Sequence, residues 1–284
     1  MEKKYSNIWG AIIGDIAGSR FEFNPHRSKD FELLVPNPYH RDDGLFPIAY
    51  YKSNASYFTD DTVMTLAIAK AIMECKKNYS DLKDLTIKYM QEFGRRYPYA
   101  GYGINFRAWI KAPSPKAYHS FGNGSAMRVS PVAYFAKNIK EVKKLSKMVT
   151  EVTHNHPEGI KGAEVTAVCT YMALNGYSKE SIVAEAKKYY DLDFDYGYLV
   201  RNYRFDETCP GSVPQSLFAF AISDSYEDTI RTAISMGGDA DTMAAIAGAI
   251  AGAYYGVPED LINKTRAFLT PDLLEIVQNF EKLN

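Results

Sequence analysis

The sequence predicts an all-α protein folded as a single compact multi-helix domain. Apolar residues recur at helical spacing in segment after segment, and helix-starting and helix-stopping residues sit at the segment ends. Alternating strand patterns are nearly absent, and no βαβ repeat, internal repeat, low-complexity segment or linker interrupts the 284 residues. One domain covering 1–284 is therefore expected, long enough to bury a substantial core.

In chain order, 8–18 is an apolar stretch broken only by Asp15 and reads as a buried helix. Positions 60–77 are apolar nearly all round as far as Met73 and read the same way. Segment 81–93 follows a Ser80-Asp81 start and sets Leu82, Leu85, Tyr89 and Phe93 on one stripe. Segments 140–152, 158–175 and 178–190 have helical spacing, with Asn175-Gly176 as a stop and Ser178 as a fresh N-cap. Helices over 215–222, 226–235, 241–255 (ended by Gly256 and Pro258) and 271–282 complete the set. Irregular stretches at 21–57, 96–124 and 192–213 are rich in Pro, Gly, Asn and aromatics. Loops of that length in a helical domain usually carry function, and here they can converge on one site.

Composition narrows the function classes. A net charge of -1 gives no basis for nucleic-acid or membrane binding. The 22 Tyr and 15 Phe supply flat faces that suit stacking on a base, although most such rings simply pack. Cys75, Cys169 and Cys209 are odd in number and lack ligand spacing, which argues against a disulfide framework and for a reducing compartment. Lys3 and Lys4 ahead of 8–18 resemble a secretion signal, but Asp15 interrupts the apolar run and no cleavage site follows. The uncharged run 243–255 is too short to span a bilayer. A cytoplasmic, monomeric protein is expected.

Two acidic clusters carry the chemistry: Phe58-Thr59-Asp60-Asp61-Thr62 and Gly237-Gly238-Asp239-Ala240-Asp241-Thr242. Each has two carboxylates and a threonine hydroxyl at the start of an uncharged helix. Taken singly, each is explained as an N-cap. Taken together, two neighbouring helix starts would gather mutually repelling carboxylates unless a cation lies between them, and all-oxygen donors suit Mg²⁺, Mn²⁺ or Ca²⁺. Asp15 needs a partner inside its apolar helix, and a hydrogen bond to a neighbouring helix start is the favoured one. Gly122-Asn123-Gly124-Ser125-Ala126-Met127-Arg128 offers glycines before a helix-like segment, a backbone cradle for phosphate or simply an Asn-Gly turn. It lacks the features of a P-loop and of a dinucleotide-binding turn. Thr153-His154-Asn155-His156-Pro157 has too few ligands for zinc and reads as a pocket wall.

In this order and spacing, these elements resemble the ADP-ribosylglycohydrolase family over nearly the whole chain: Gly14-Asp15 with Gly18 and Glu22, Thr59-Asp60-Asp61, Gly122 to Ser125, Thr153-His154, and Gly238 to Thr242. The resemblance implies an all-α fold with two Mg²⁺ (or Mn²⁺) ions at the base of a cleft. It implies that Thr59, Asp60 and Asp61 hold the metals from one side, with Asp239, Asp241 and Thr242 opposite. Asp60, Asp61, Asp239 and Glu22 are the implied catalytic acids. Gly122, Asn123, Gly124 and Ser125 would lie along the diphosphate, Phe121 against the nucleotide and His154 by the distal ribose. The expected partner is an ADP-ribose-bearing substrate, linked through arginine, serine or an O-acetyl group. The Gly-Asp-x-x-Gly-Ser-x-x-Glu spelling leans towards the O-linked branch. Rival readings are another metal-dependent hydrolase of a nucleoside or phosphorylated small molecule, and a non-catalytic relative like the crystallins that share this fold.

Overall fold

The computed structural model describes residues 5–36 and 54–283; Lys3, Lys4 and positions 37–53 of the irregular stretch 21–57 lie outside the described residues. Among the described residues there is no strand, only an isolated antiparallel bridge between Gly122 and Thr208.

The helices begin where polar caps meet apolar runs. α1 (Ser6–Gly18) is buried almost throughout. α2 (Asp60–Glu74) starts at Thr59, whose hydroxyl accepts the Asp61 amide. α3 (Leu82–Arg96) and α4 (Ile104–Lys111) follow, then the single turns α5 (Gly124–Met127) and α6 (Val132–Phe135). α7 (Ile139–Thr150), α8 (Pro157–Leu174) and α9 (Lys179–Ala186) are capped by the side chains of Asn138, His156 and Ser178. α10 (Tyr196–Asn202), α11 (Cys209–Ile222) and α12 (Tyr226–Ser235) are capped by Asp195, Thr208 and Ser225. α13 (Ala240–Tyr255), α14 (Glu259–Arg266) and α15 (Pro271–Glu281) close the chain. One contiguous apolar core runs from Ile8 to Phe280, and Cys75, Cys169 and Cys209 are all free.

Some boundaries differ from the sequence reading, for identifiable reasons. α2 stops at Glu74 because Cys75 turns extended, and α9 stops at Ala186 rather than 190. α11 begins six residues before the expected 215, despite two prolines. Pro210 occupies the first turn, where its missing amide would have had no partner, whereas Pro214 lies inside the helix and leaves the Pro210 carbonyl without its i→i−4 donor. α4 and α10 lie inside stretches read as irregular. They are short and bury only a few side chains, so no apolar stripe marks them.

A backbone-to-backbone contact between two helices places the functional region. α1 and α13 meet backbone to backbone along Gly10, Gly14 and Gly18. A Cβ on these residues would lie 2.1 Å from the Gly248 oxygen, 2.2 Å from the Ala244 oxygen and 2.4 Å from the Asp241 Cα. The Ala/Gly surface of α13 is thus the groove into which α1 fits, and it brings the C-terminal end of α1 against the N-terminal end of α13. Gly14→Ala is expected to force these helices apart and cost about 1–3 kcal/mol in urea unfolding. Gly103→Ala, whose Cβ would meet nothing within 4 Å, is expected to stay within about 0.5 kcal/mol. Equal stability of the two variants would contradict the backbone contact.

Candidate metal centre

Asp15 is the hinge-pin of the site. It sits in the last turn of α1, fully buried, and points at the start of α2. Its Oδ2 accepts the amides of Thr59 (2.9 Å) and Thr62 (3.0 Å) and the Thr62 hydroxyl, and its Oδ1 accepts the Thr59 hydroxyl at 2.7 Å. A carboxylate from one helix therefore caps another, at the end where the dipole favours negative charge. This is the structural partner that the sequence required of Asp15. It leaves the Thr59 hydroxyl committed and fixes where Asp60 and Asp61 emerge.

Asp61 projects from α2 towards α13. Its Oδ2 accepts the Thr242 hydroxyl at 3.2 Å, while its buried Oδ1 has no hydrogen-bond partner. One oxygen each from Asp15, Asp61 and Asp241 lie within 4.8 Å of one another, and so do oxygens of Glu22, Asp239 and Asp241. Two adjacent carboxylate groups thus share Asp241. An orphaned buried oxygen within an all-carboxylate cluster fits hard divalent cations, for which oxygen-only ligation is the rule. Asp60 opens partly onto the cleft, and a Cβ on Gly101 would come within 3.0 Å of its Oδ1.

The electrostatics agree. Burial pushes Asp60 up to about 8, with Asp15 and Asp239 adding repulsion. Burial followed by the charges of Asp239, Asp60 and Asp15 pushes Glu22 up to about 9. Asp61 and Asp241 are driven well above the usual carboxylate range by the same causes. Asp15 and Asp239 are raised by burial and partly restored by hydrogen bonds.

The turn into α13 depends on glycine. Gly237 and Gly238 both have positive φ, +72° and +77°. The Arg27 guanidinium lies 2.6 Å from where a Gly237 Cβ would be, and the Tyr203 ring 2.3 Å from that of Gly238. Arg27 donates to the carbonyls of Val200 (3.1 Å), Tyr203 (2.8 Å) and Met236, so one cation closes the ends of α10 and α12 and braces the turn that delivers Asp239.

A cleft of about 590 Å³ opens over the acids. Gly122, Asn123, Gly124 and His154 line it; Ser125 and Phe121 do not. The Gly122 amide donates to Ser120 Oγ (3.2 Å) and the Asn123 amide to the Glu207 carbonyl (2.8 Å), so these two donors are already engaged. Asn123 Nδ2 donates to Asp239 Oδ2 at 2.7 Å and to Ser212 Oγ at 3.0 Å, tying the loop to the acidic cluster. Ser125 is buried and donates to the Gly159 carbonyl at 2.8 Å. Phe121 is 46% exposed, with its ring 5.2 Å from that of His156. Sequence reasoning gave no role to Arg128, which lines the cleft while 1% exposed. The available signal was its isolation: it is the one Lys, Arg, Asp or Glu between Lys116 and Lys137. Tyr118, Phe106 and Phe205 also line the cleft unanticipated, from stretches read only as irregular.

Comparison with known proteins gives this geometry a family. A profile described as ADP-ribosylglycohydrolase matches residues 3–284. Human "ADP-ribosylhydrolase ARH3" is 26% identical, over 93% of this chain and 89% of its own length. "ADP-ribosylarginine hydrolase Tri1" of Pseudomonas putida is also 26% identical, over 90% of this chain and 71% of its own. A solved structure titled "ADP-ribosylglycohydrolase-related protein complex" superposes with a TM-score of 0.66 at 23% identity, covering 98% of this chain and 97% of that one, which speaks for the fold. With a family profile spanning 3–284 and the same helical fold, this chain belongs to the ADP-ribosylglycohydrolase family.

Proposed function

We propose that this protein is a divalent-metal-dependent hydrolase that cleaves the glycosidic bond between ADP-ribose and its acceptor, releasing ADP-ribose. The observation that carries this reading is the meeting of Asp61 and Asp241, 180 positions apart, in one buried carboxylate group within a chain of this family. Thr59, Asp60 and Asp61 at the start of α2 and Asp239, Asp241 and Thr242 at the start of α13 would hold two Mg²⁺ (or Mn²⁺) ions. Bound there, the ions supply positive charge for the sugar hydroxyls and lower the pKa of water.

Burial separates the roles of the acids. Asp61, Asp239 and Asp241 are 3–5% exposed and suit fixed ligation, whereas Glu22 is half-buried, lines the cleft and suits proton transfer. Glu22, grouped with Asp239 and Asp241, protonates the departing acceptor atom. Such an acid serves most where the leaving group is a poor alkoxide, which favours serine-linked ADP-ribose over ADP-ribosylarginine; an O-acetyl group departs as acetate and needs the proton least. Release of ADP-ribose from all three, measured by chromatography with Mg²⁺ or with chelator, is expected to be metal-dependent and fastest for an O-linked substrate. Release unchanged by chelator would overturn the reading.

Asp241→Asn removes the carboxylate common to both groups. Turnover is expected to fall more than about 100-fold, beyond the loss typical of a supporting residue, while far-ultraviolet circular dichroism is unchanged. Full activity would refute the metal mechanism.

The cluster also sets a pH dependence. The folded values of Asp60, about 8, and Glu22, about 9, lie above the ordinary carboxylate values of 3.8 and 4.5, so the metal-free fold binds more protons than the unfolded chain over that interval. Stability is then greatest at the acid end and is lost as pH rises through the folded values. Asp228, held low by Lys29, and Asp272, held low by Thr270, Tyr97 and Arg96, act only below this window. The metal-free melting temperature is expected to fall between about pH 5 and about pH 8, and the increment from saturating Mg²⁺ to grow over the same range. A metal-free melting temperature that climbs instead would contradict the shared carboxylate cluster.

A further inference from the structure

The cleft lining contains a chain of groups that the reaction scheme above leaves unused. Arg128 Nη2 donates to Thr153 Oγ1 at 2.7 Å, and that oxygen lies 2.7 Å from His154 Nδ1. Arg128 is 1% exposed, forms no ion pair among the described residues, and has a buried Nε without a partner. A packing role at this position would be better served by an apolar side chain of similar volume, since a buried unpaired cation is costly.

The direction of the chain follows from donor counting. Guanidinium has donors only, so Arg128 takes a lone pair of the Thr153 oxygen. The single hydroxyl hydrogen can then go to His154 Nδ1 at 2.7 Å or to the Thr150 carbonyl at 3.5 Å. The first is a good hydrogen bond and the second lies at the outer limit. Nδ1 is therefore the acceptor, and the ring hydrogen sits on Nε2. Burial, and then the charge of Arg128, hold the ring neutral by keeping its pKa well below the usual value. Nε2 makes no hydrogen bond among the described residues and faces the glycine loop. Cβ atoms on Gly122 and Gly124 would stand 3.6 and 3.5 Å from it, so the bare backbone keeps it clear.

We propose that Arg128 and Thr153 are positioning residues that hold His154 as its Nε2–H tautomer, so that the cleft presents, beside the glycine loop, a fixed, neutral hydrogen-bond donor to an acceptor oxygen of ADP-ribose. The ligand half of this inference rests on the proposed function; the tautomer half stands on the free protein alone.

The test combines a spectrum with a binding measurement. Long-range proton–nitrogen correlation on histidine-¹⁵N-labelled protein resolves the tautomer of each of the five histidines, and a His154→Gln spectrum identifies the signal in question. Wild type is expected to carry its hydrogen on Nε2, and Thr153→Ser to keep both that tautomer and wild-type affinity. Thr153→Val is expected to show a mixture of tautomers and about tenfold weaker binding of ADP-ribose in Mg²⁺, the scale of one directed hydrogen bond. Its Mg²⁺-dependent gain in melting temperature should be unchanged. A hydrogen on Nδ1 in wild type overturns the lock, and wild-type ADP-ribose affinity in Thr153→Val overturns the donor role. Should Thr153→Val fail to fold, the wild-type spectrum and the serine variant decide the matter. If wild type binds no ADP-ribose at all, the functional reading fails and takes the donor role with it, while the spectrum still decides the tautomer.

Discussion

Six carboxyl groups crowd one corner of this protein, and among the described residues none is paired with a basic side chain. Each ionised acid taken out of water costs several kcal/mol, against a total stability of about 5–15 kcal/mol for a domain. The protein cannot hold them all charged without help. Part of that help is local: helix starts, the hydroxyls of Thr59, Thr62 and Thr242, and the amide of Asn123 all donate into the cluster. The remainder must come from protons or cations. A site that resists being empty at neutral pH is a site tuned to bind positive charge, and the surrounding architecture holds its acids together beneath the cleft.

That architecture rests on two rigid joints. The first is the contact between α1 and α13, where the absence of side chains at Gly10, Gly14 and Gly18 lets backbones touch and leaves no room for relative sliding. The second is the Asp15 cap, which ties the start of α2 to the end of α1 through four hydrogen bonds. With both in place, Asp61 and Asp241 have no freedom to separate. Preorganisation of this kind is what a metal site needs if its ligands are not to collapse onto one another between binding events.

The two acidic clusters were legible in the sequence because their pattern is local: carboxylates and a threonine at the head of an uncharged helix. Most long helices were legible for a similar reason, their caps and apolar runs being contiguous. Three things were not. Asp15 could be seen to need a partner, but which helix supplied it depends on a tertiary joint. The glycine loop looked like a phosphate cradle, yet its Gly122 and Asn123 amides are taken by Ser120 and Glu207, and the latter arrives from a distant loop. α4 and α10 carry too few buried side chains to show a period. Arg128 had a visible signal, its isolation within an uncharged run, but isolation alone does not tell a cleft from a surface.

The cleft brings two kinds of group together. Glu22, Asp60, Asp61, Asp239 and Asp241 line it with carboxylates, and Asn123, Arg128 and His154 line it with donors. Asn123 ties one set to the other, since its amide donates to Asp239 at 2.7 Å. The Arg128 guanidinium donates to Thr153, so its buried charge acts on the cleft through its field. Anionic phosphates are repelled by the metal-free acids and drawn towards that charge. On the reading proposed above, cations held by the acids would supply positive charge for the ribose hydroxyls. The Arg128 charge keeps its sign with or without them, so the pull on the phosphates does not depend on the cations.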